Sequence, residues 1–259
     1  MTQFYYEVHE GNGPFLFLLH GMLSSRAQWL RNLDTLKQFS TPVIAEFWGH
    51  GRSPSPEDPA YYDPMQYVAQ IENIRKAVGA ERWFLCGQSF GATATLRYSL
   101  HYPERVMGQI FTNSTSALAT NEVTKELYRD VNKLAQKLES GGPEGLKKMR
   151  IHPIHAKRLP PGAQEELLED APLLNPSGIA RVFKYTSPHA SVADEVSATT
   201  VPTLLVAGEQ EDRFTPHREY GEKHIRGLEV VGADGGHAIN IEAPEAFNQA
   251  VRDFIARNS

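Results

Sequence analysis

Short continuous apolar runs that alternate with amphipathic helical patterns limit most strongly how this chain can fold. A run such as residues 15–19, which follows a glycine-rich turn signal at 11–14, is typical of a strand buried on both faces of a parallel sheet. Residues 4–8 are predicted to form an antiparallel edge strand. Comparable apolar runs occupy residues 42–47, 83–86, 107–112, 203–207 and 228–231, and helical patterns occupy residues 25–39, 64–78, 92–101, 216–225 and 244–256. The alternation predicts an α/β fold with a mostly parallel central sheet and helices on both faces.

The alternation stops over residues 115–195, where strand-like runs are absent. Further helical patterns lie around residues 145–151, 163–171 and 177–185. One helical stripe, closed by glycines and a proline at 141–143, consists of Val123, Leu127, Val131, Leu134 and Leu138. We therefore expect a core domain formed by residues 1–114 and 196–259, with residues 115–195 as a helical insertion over the sheet.

Composition argues against several classes of partner. The formal net charge is −5, so neither nucleic acid nor an anionic membrane is an expected partner. Cys86 is the only cysteine, and no intrachain disulfide can form. The N-terminal residues lack a basic segment followed by an apolar run, and the longest apolar stretch, residues 14–19, is too short to cross a bilayer. We expect a cytoplasmic protein with no membrane span.

No metal or cofactor is expected. His152 and His155 are close in sequence, but Pro153 lies between them and no cysteine accompanies them. The chain also has no glycine-rich phosphate loop with a lysine and no dinucleotide-binding glycine pattern.

The segment 83–92 carries the strongest chemical signal. It places a Gly-x-Ser-x-Gly pattern, Gly87 to Gly91, between a buried strand and a helix. A strand that turns sharply into a helix exposes the residue at the apex, here Ser89, and requires small neighbours two positions away. The pattern alone is weak evidence, because it also occurs by chance in some chains of this length, and a glycine-rich helix N-cap is the alternative interpretation. The flanking strand and helix favour a nucleophilic serine.

This motif makes the chain resemble the α/β-hydrolase family. The resemblance extends to segments in the N-terminal and C-terminal parts of the chain. The order of the family's triad implies Ser89 as nucleophile, an acid after the strand at 203–207, and His237 as general base. Two acids compete for the middle role. The Asp-x-x-x-Pro pattern favours Asp212, whereas spacing from the preceding glycine favours Glu211. We prefer Asp212.

The resemblance also implies an oxyanion hole formed by the backbone N–H groups of Met22 and Phe90. Met22 follows a His-Gly turn at the end of the first buried strand, and Phe90 follows the nucleophile. His20 and His50 lie in turns typical of the family and are expected to brace loops rather than react.

These residues imply a serine hydrolase that cleaves a carboxylic ester or similar acyl bond through an acyl-enzyme. Its substrate would be a small ester or carbonyl compound, with the insertion acting as a cap. Candidate walls of the pocket are Tyr128, Met149, Ile151, Phe183 and Tyr185. The same triad also serves lactonases, carbon–carbon bond hydrolases and perhydrolases, and a ligand receptor with a slow hydrolase site or a noncatalytic interaction module are the alternatives outside catalysis.

Overall fold

A seven-stranded sheet forms the centre of the computed structural model, which describes residues 2–259. The strands are β1 Tyr6–Val8, β2 Phe15–Leu19, β3 Thr41–Ala45, β4 Trp83–Gly87, β5 Val106–Thr112, β6 Thr203–Gly208 and β7 Glu229–Ala233. Their order in the sheet is β1-β3-β2-β4-β5-β6-β7. Strand β1 pairs antiparallel with β3, while the remaining pairs are parallel. The predicted α/β fold and its antiparallel edge strand are confirmed.

Helices cover both faces of this sheet. They are α1 Leu30–Leu36, α2 Pro64–Ala77, α3 Gly91–His101, α4 Thr115–Leu118, α5 Asn121–Leu127, α6 Val131–Lys147, α7 Ala163–Asp170, α8 Pro176–Arg181, α9 Thr215–His224, α10 Ile239–Glu242 and α11 Pro244–Asn258. Within residues 2–259, no helix combines the length and apolarity needed to cross a bilayer.

Successive strand residues point to opposite faces, and both faces are buried. On one face Phe17 and Leu85 pack with residues of α2 and α3, such as Ile71. On the other face Leu16 packs with residues of α1 and α11, such as Val251. A fully buried side chain of this kind contributes about 1.5–3 kcal/mol. Continuous apolar runs therefore suit these strands better than alternating ones.

Most predicted boundaries differ from the observed ones by one or two residues, but the helix predicted at 25–39 is shorter. The Ser25 side chain accepts a hydrogen bond from the Ala27 N–H and starts a 3₁₀ turn, Arg26–Trp29. Helix α1 begins only at Leu30. A serine that bonds the backbone in this way favours a turn over a continuous helix.

Residues 115–195 form helices and contain no strand. The break predicted at 141–143 lies inside α6, where Gly142 has a φ of 56°. Two contacts fix this segment onto the loop that follows β3. The Asn175 N–H donates to the Gly49 oxygen at 2.8 Å, and the Arg52 guanidinium makes two hydrogen bonds to the Asp170 carboxylate. The segment thus contacts loops at the carboxyl ends of the strands, where ligand sites of α/β sheets lie.

Candidate active site

Ser89 occupies a sharp turn between β4 and α3. Its φ is 51°, a left-handed conformation that is costly for a residue with a side chain. The turn is possible because the neighbouring glycines lie against backbone. A Cβ atom on Gly87 would lie 2.5 Å from the Ala92 nitrogen, and one on Gly91 would lie 2.2 Å from the Leu19 oxygen. The strained turn exposes part of the serine side chain at the carboxyl edge of the sheet.

The structure brings Ser89 and His237 together across 148 residues of sequence. The Ser89 Oγ lies 2.7 Å from His237 Nε2. The other ring nitrogen, Nδ1, lies 2.8 Å from Glu211 Oε2. A carboxylate can only accept, so Nδ1 carries the proton and Nε2 is left to accept one from the serine hydroxyl.

Asp212 does not take part in this chain of hydrogen bonds, and our preference for it is corrected. Its side chain is exposed and has no hydrogen-bond partner among residues 2–259, whereas the Glu211 side chain is only 12% exposed. The physical reason lies in the backbone. Asp212 begins a 3₁₀ turn, and its carbonyl accepts the Thr215 N–H at the start of α9. The Asp-x-x-x-Pro pattern thus marks the entry to a helix, and the preceding residue faces the histidine.

Asn113 holds the Glu211 carboxylate from the other side. Its Nδ2 donates to Glu211 Oε2 at 3.0 Å. Burial would raise the pKa of Glu211, but the hydrogen bonds from His237 and Asn113 together lower it below its usual range. Glu211 is therefore ionised at neutral pH. Sequence reasoning missed Asn113, although a polar residue directly after a buried strand, here β5, is a usable signal.

Two further side chains fix the loop that carries His237. The Gln88 amide donates to the His237 carbonyl at 3.2 Å. The Glu242 carboxylate accepts the N–H groups of Gly236 and Ala238, at 2.7 and 3.0 Å, on either side of the histidine. Sequence reasoning missed both residues. The Gln88 contact joins segments far apart in sequence and leaves no local pattern, whereas the two Glu242 contacts lie within six residues.

The predicted oxyanion donors lie on two backbone segments beside the nucleophile. A Cβ atom on Gly21 would lie 3.1 Å from the Ser89 Cβ, so the turn that carries Met22 adjoins the serine. Phe90 precedes the first turn of α3. Neither the Met22 nor the Phe90 N–H has an acceptor within residues 2–259.

His20 and His50 brace this turn as neutral side chains. His20 Nδ1 donates to the Gly21 oxygen, and its Nε2 accepts the Phe47 N–H. His50 Nδ1 donates to the Trp48 oxygen, and its Nε2 accepts the Leu23 N–H. Complete burial lowers the pKa of His20 to about 3 and that of His50 to about 4. The bonds match the bracing role expected of both.

The candidate wall residues divide into three groups. Tyr128, Met149 and Phe183 belong to an apolar cluster that also includes Met22 and Leu23 of the turn that follows β2. Tyr185 packs against the core cluster on the α2 and α3 side of the sheet. Ile151 is 53% exposed. Met22 packs against both of these clusters, so apolar side chains of residues 115–195 adjoin the turn that follows β2.

The histidines rejected as metal ligands make backbone contacts. His152 Nδ1 accepts the Ile154 N–H, and His155 Nε2 donates to the Lys147 oxygen. Among residues 2–259, no three histidine, cysteine or acidic side chains are grouped as a metal ion requires.

Known proteins with similar sequences or structures belong to the same fold. A sequence model of the alpha/beta hydrolase family matches residues 16–250. The chain is 26% identical to a putative 2-succinyl-6-hydroxy-2,4-cyclohexadiene-1-carboxylate synthase of Bacillus subtilis, over 92% of this chain and 88% of that protein. It is also 26% identical to an uncharacterised carboxylesterase, nap, of the same organism, over 94% of this chain and 80% of that one.

Solved structures agree on the fold. MenH from S. aureus superposes with a TM-score of 0.86 at 19% identity, covering 100% of this chain and 99% of that one. An enol-lactonase from Burkholderia xenovorans superposes with a TM-score of 0.81 at 20% identity, covering 98% and 96% of the two chains. From the family match and the sheet described above, this chain belongs to the α/β-hydrolase family.

Proposed function

We propose that this protein is a serine hydrolase that cleaves a carboxylic ester through an acyl-enzyme, with Ser89 as nucleophile, His237 as general base and Glu211 as the acid that orients the histidine. One observation carries the proposal: the continuous hydrogen-bond chain from Ser89 Oγ through the imidazole to Glu211. Hydrolases and carboxylesterases among the relatives support the broader assignment.

The geometry supports a two-step acyl transfer. His237 Nε2 accepts the proton of Ser89 as the oxygen attacks the carbonyl carbon, and the imidazolium then gives that proton to the departing alcohol. The N–H groups of Met22 and Phe90 stabilise the oxyanion, each contributing about 3–4 kcal/mol. Water, activated by the same histidine, hydrolyses the acyl-enzyme and frees the serine.

An apolar acyl or alcohol group suits the proposed site. Met22 contributes its N–H to the oxyanion hole, and its side chain packs against an apolar cluster that includes Leu23 and, from residues 115–195, Phe183. A substrate carbonyl held at the Met22 N–H would therefore meet an apolar wall. On this basis we propose that residues 115–195 act as the cap that selects the substrate.

A substrate panel with a nucleophile variant tests the assignment. Intact protein and Ser89→Ala would be assayed on p-nitrophenyl esters, lactones and vinylogous diketones, and labelled with a fluorophosphonate. We expect ester turnover that falls at least about a thousandfold in Ser89→Ala, with loss of labelling. Ser99→Ala, which removes a buried hydroxyl from helix α3 directly after the turn, is the matched control and should retain activity.

The panel also separates the alternatives. Preference for lactones or diketones would reassign the reaction while retaining the triad. Tight, saturable ligand binding with very slow turnover would indicate a receptor. Activity of Ser89→Ala near that of the intact protein would overturn the proposal.

A further inference from the structure

Asn113 joins three groups that no local sequence pattern connects. Its side chain is fully buried directly after β5. Its Oδ1 accepts the Gly208 N–H at 3.1 Å, and its Nδ2 donates to the Gly208 oxygen at 2.9 Å. The same Nδ2 donates to Glu211 Oε2 at 3.0 Å. The side chain thereby continues the pairing of β5 with β6 by one residue.

These bonds leave the amide no freedom to rotate. Both of its ends are engaged by the backbone of one residue, Gly208, so a flip would place oxygen against oxygen and nitrogen against nitrogen. The second N–H of Nδ2 then has a fixed direction, towards Glu211. A donor fixed by buried backbone costs little entropy when it holds a carboxylate, and hydrogen bonds to charged groups are the stronger kind.

We propose that Asn113 is a positioning residue that fixes the Glu211 carboxylate against His237; this rests on the proposed function. The arrangement also explains why Glu211, and not Asp212, acts as the acid that orients His237. The Glu211 carboxylate lies between two partners. Asn113 bonds one of its oxygens, and His237 Nδ1 lies within hydrogen-bond distance of both. Asp212 has neither partner.

A purely structural role is the competing explanation, since Asn113 also ties β5 to Gly208. The two roles differ in their dependence on Glu211. If Asn113 acts through the carboxylate, its replacement matters only while Glu211 is present. If it acts by holding the strands together, its replacement costs the same with or without Glu211.

A double-mutant cycle separates these roles. Values of kcat and KM would be measured for the intact protein, Asn113→Ala, Glu211→Ala and the double variant. We expect Asn113→Ala alone to lower kcat about 10- to 100-fold with little change in KM. In the Glu211→Ala background it should change kcat less than about twofold. Asn113→Ser, whose shorter side chain cannot reach Glu211, should behave like Asn113→Ala and provides a second variant for the case in which the alanine variant does not fold.

Gln109→Ala is the matched control. Gln109 lies on β5, is fully buried, and bonds Thr95 and the Ile110 oxygen instead of Glu211. Its replacement should lower the melting temperature and leave kcat per folded molecule unchanged in both backgrounds.

A second measurement does not depend on turnover. The nitrogen-15 spectrum of labelled histidines, assigned with His237→Gln, reports which ring nitrogen of His237 carries the proton. We expect the Nδ1–H form in the intact protein and in Gln109→Ala, and a mixture of the two forms in Asn113→Ala. If the intact protein hydrolyses no ester, the proposed function fails, and this spectrum still decides the role of Asn113. Equal losses in the two Glu211 backgrounds, or an unchanged His237 tautomer in Asn113→Ala, would overturn the inference.

Discussion

His50 Nε2 accepts the backbone N–H of Leu23 at 3.1 Å. Leu23 has a φ of 58°, which is unusual for a residue with a branched side chain, and the bond holds it in that conformation. Because Leu23 follows Met22 directly, this bond also fixes the backbone next to Met22, the proposed oxyanion donor. His50 would thus act on that donor through the backbone and not through contact with the substrate.

The first prediction concerns the acceptor that His50 provides. His50→Asn removes the acceptor for the Leu23 N–H and should lower kcat on esters about 3- to 10-fold, the value of one neutral hydrogen bond. His50→Gln, whose Oε1 can reach the position of Nε2, should recover much of that loss. Steady-state kinetics of both variants check this order. If the two variants are equally impaired, the Leu23 contact has no part in the effect.

The second prediction follows from the burial of two neutral histidines. Burial lowers the pKa of His20 to about 3 and of His50 to about 4, from an ordinary value near 6.5. Below pH 6.5 the unfolded chain therefore binds protons that the folded chain does not. The free energy of unfolding should fall as the pH drops from 6.5 towards 4, by up to about 1.4 kcal/mol per pH unit for each histidine.

Urea unfolding at several pH values measures this slope. A His50→Gln variant should show a shallower loss between pH 6.5 and 4 than the intact protein, because it cannot bind the proton when unfolded. Replacement of the exposed His101 by glutamine is the control and should leave the slope unchanged. An identical slope in His50→Gln and the intact protein would show that His50 does not contribute to acid sensitivity.

The third prediction compares two adjacent acids. Glu211→Gln should reduce kcat about 10³- to 10⁴-fold, because an amide at this position can stabilise the wrong tautomer of His237 and carries no charge to balance the imidazolium. Asp212→Asn should change kcat less than about threefold, since its side chain is exposed and unbonded within residues 2–259. Kinetics on one ester suffice, and a larger loss in Asp212→Asn would reverse the assignment.

The contrast between these neighbours shows where sequence reasoning ends. Strands such as β2 and β4 could be predicted because both faces are buried, which leaves a run of apolar letters. The choice between Glu211 and Asp212 depends on how one turn directs two successive side chains, and both satisfy a plausible spacing. In the structure His237 Nδ1 lies against the Glu211 carboxylate, and this contact is what favours Glu211.

The contacts of Asn113 and Gln88 could not be predicted for a related reason. Each joins a side chain to a segment far away in sequence, as Gln88 does with the His237 carbonyl. Such bonds depend on the final approach of loops at the carboxyl edge of the sheet. Composition and periodicity predict which strands and helices are buried, but they do not predict which loops come into contact.

The last prediction concerns the packing that creates the nucleophile turn. A Cβ atom on Gly91 would lie 2.2 Å from the Leu19 oxygen and 2.7 Å from the His20 oxygen, both backbone atoms that cannot move aside cheaply. Gly91→Ala should therefore destabilise the protein by about 3 kcal/mol or more, as overpacking against a rigid core does. It should also displace the turn that carries Met22, because His20 leads directly into that turn.

Gly141→Ala is the matched control, since a Cβ atom there meets nothing within 4 Å and the residue lies in α6. That variant should be neutral or more stable by up to about 1 kcal/mol. Urea unfolding of the two variants checks the difference; equal stability would mean that α3 can move away from β2 without cost, and the close approach of helix and strand would then not explain the glycine.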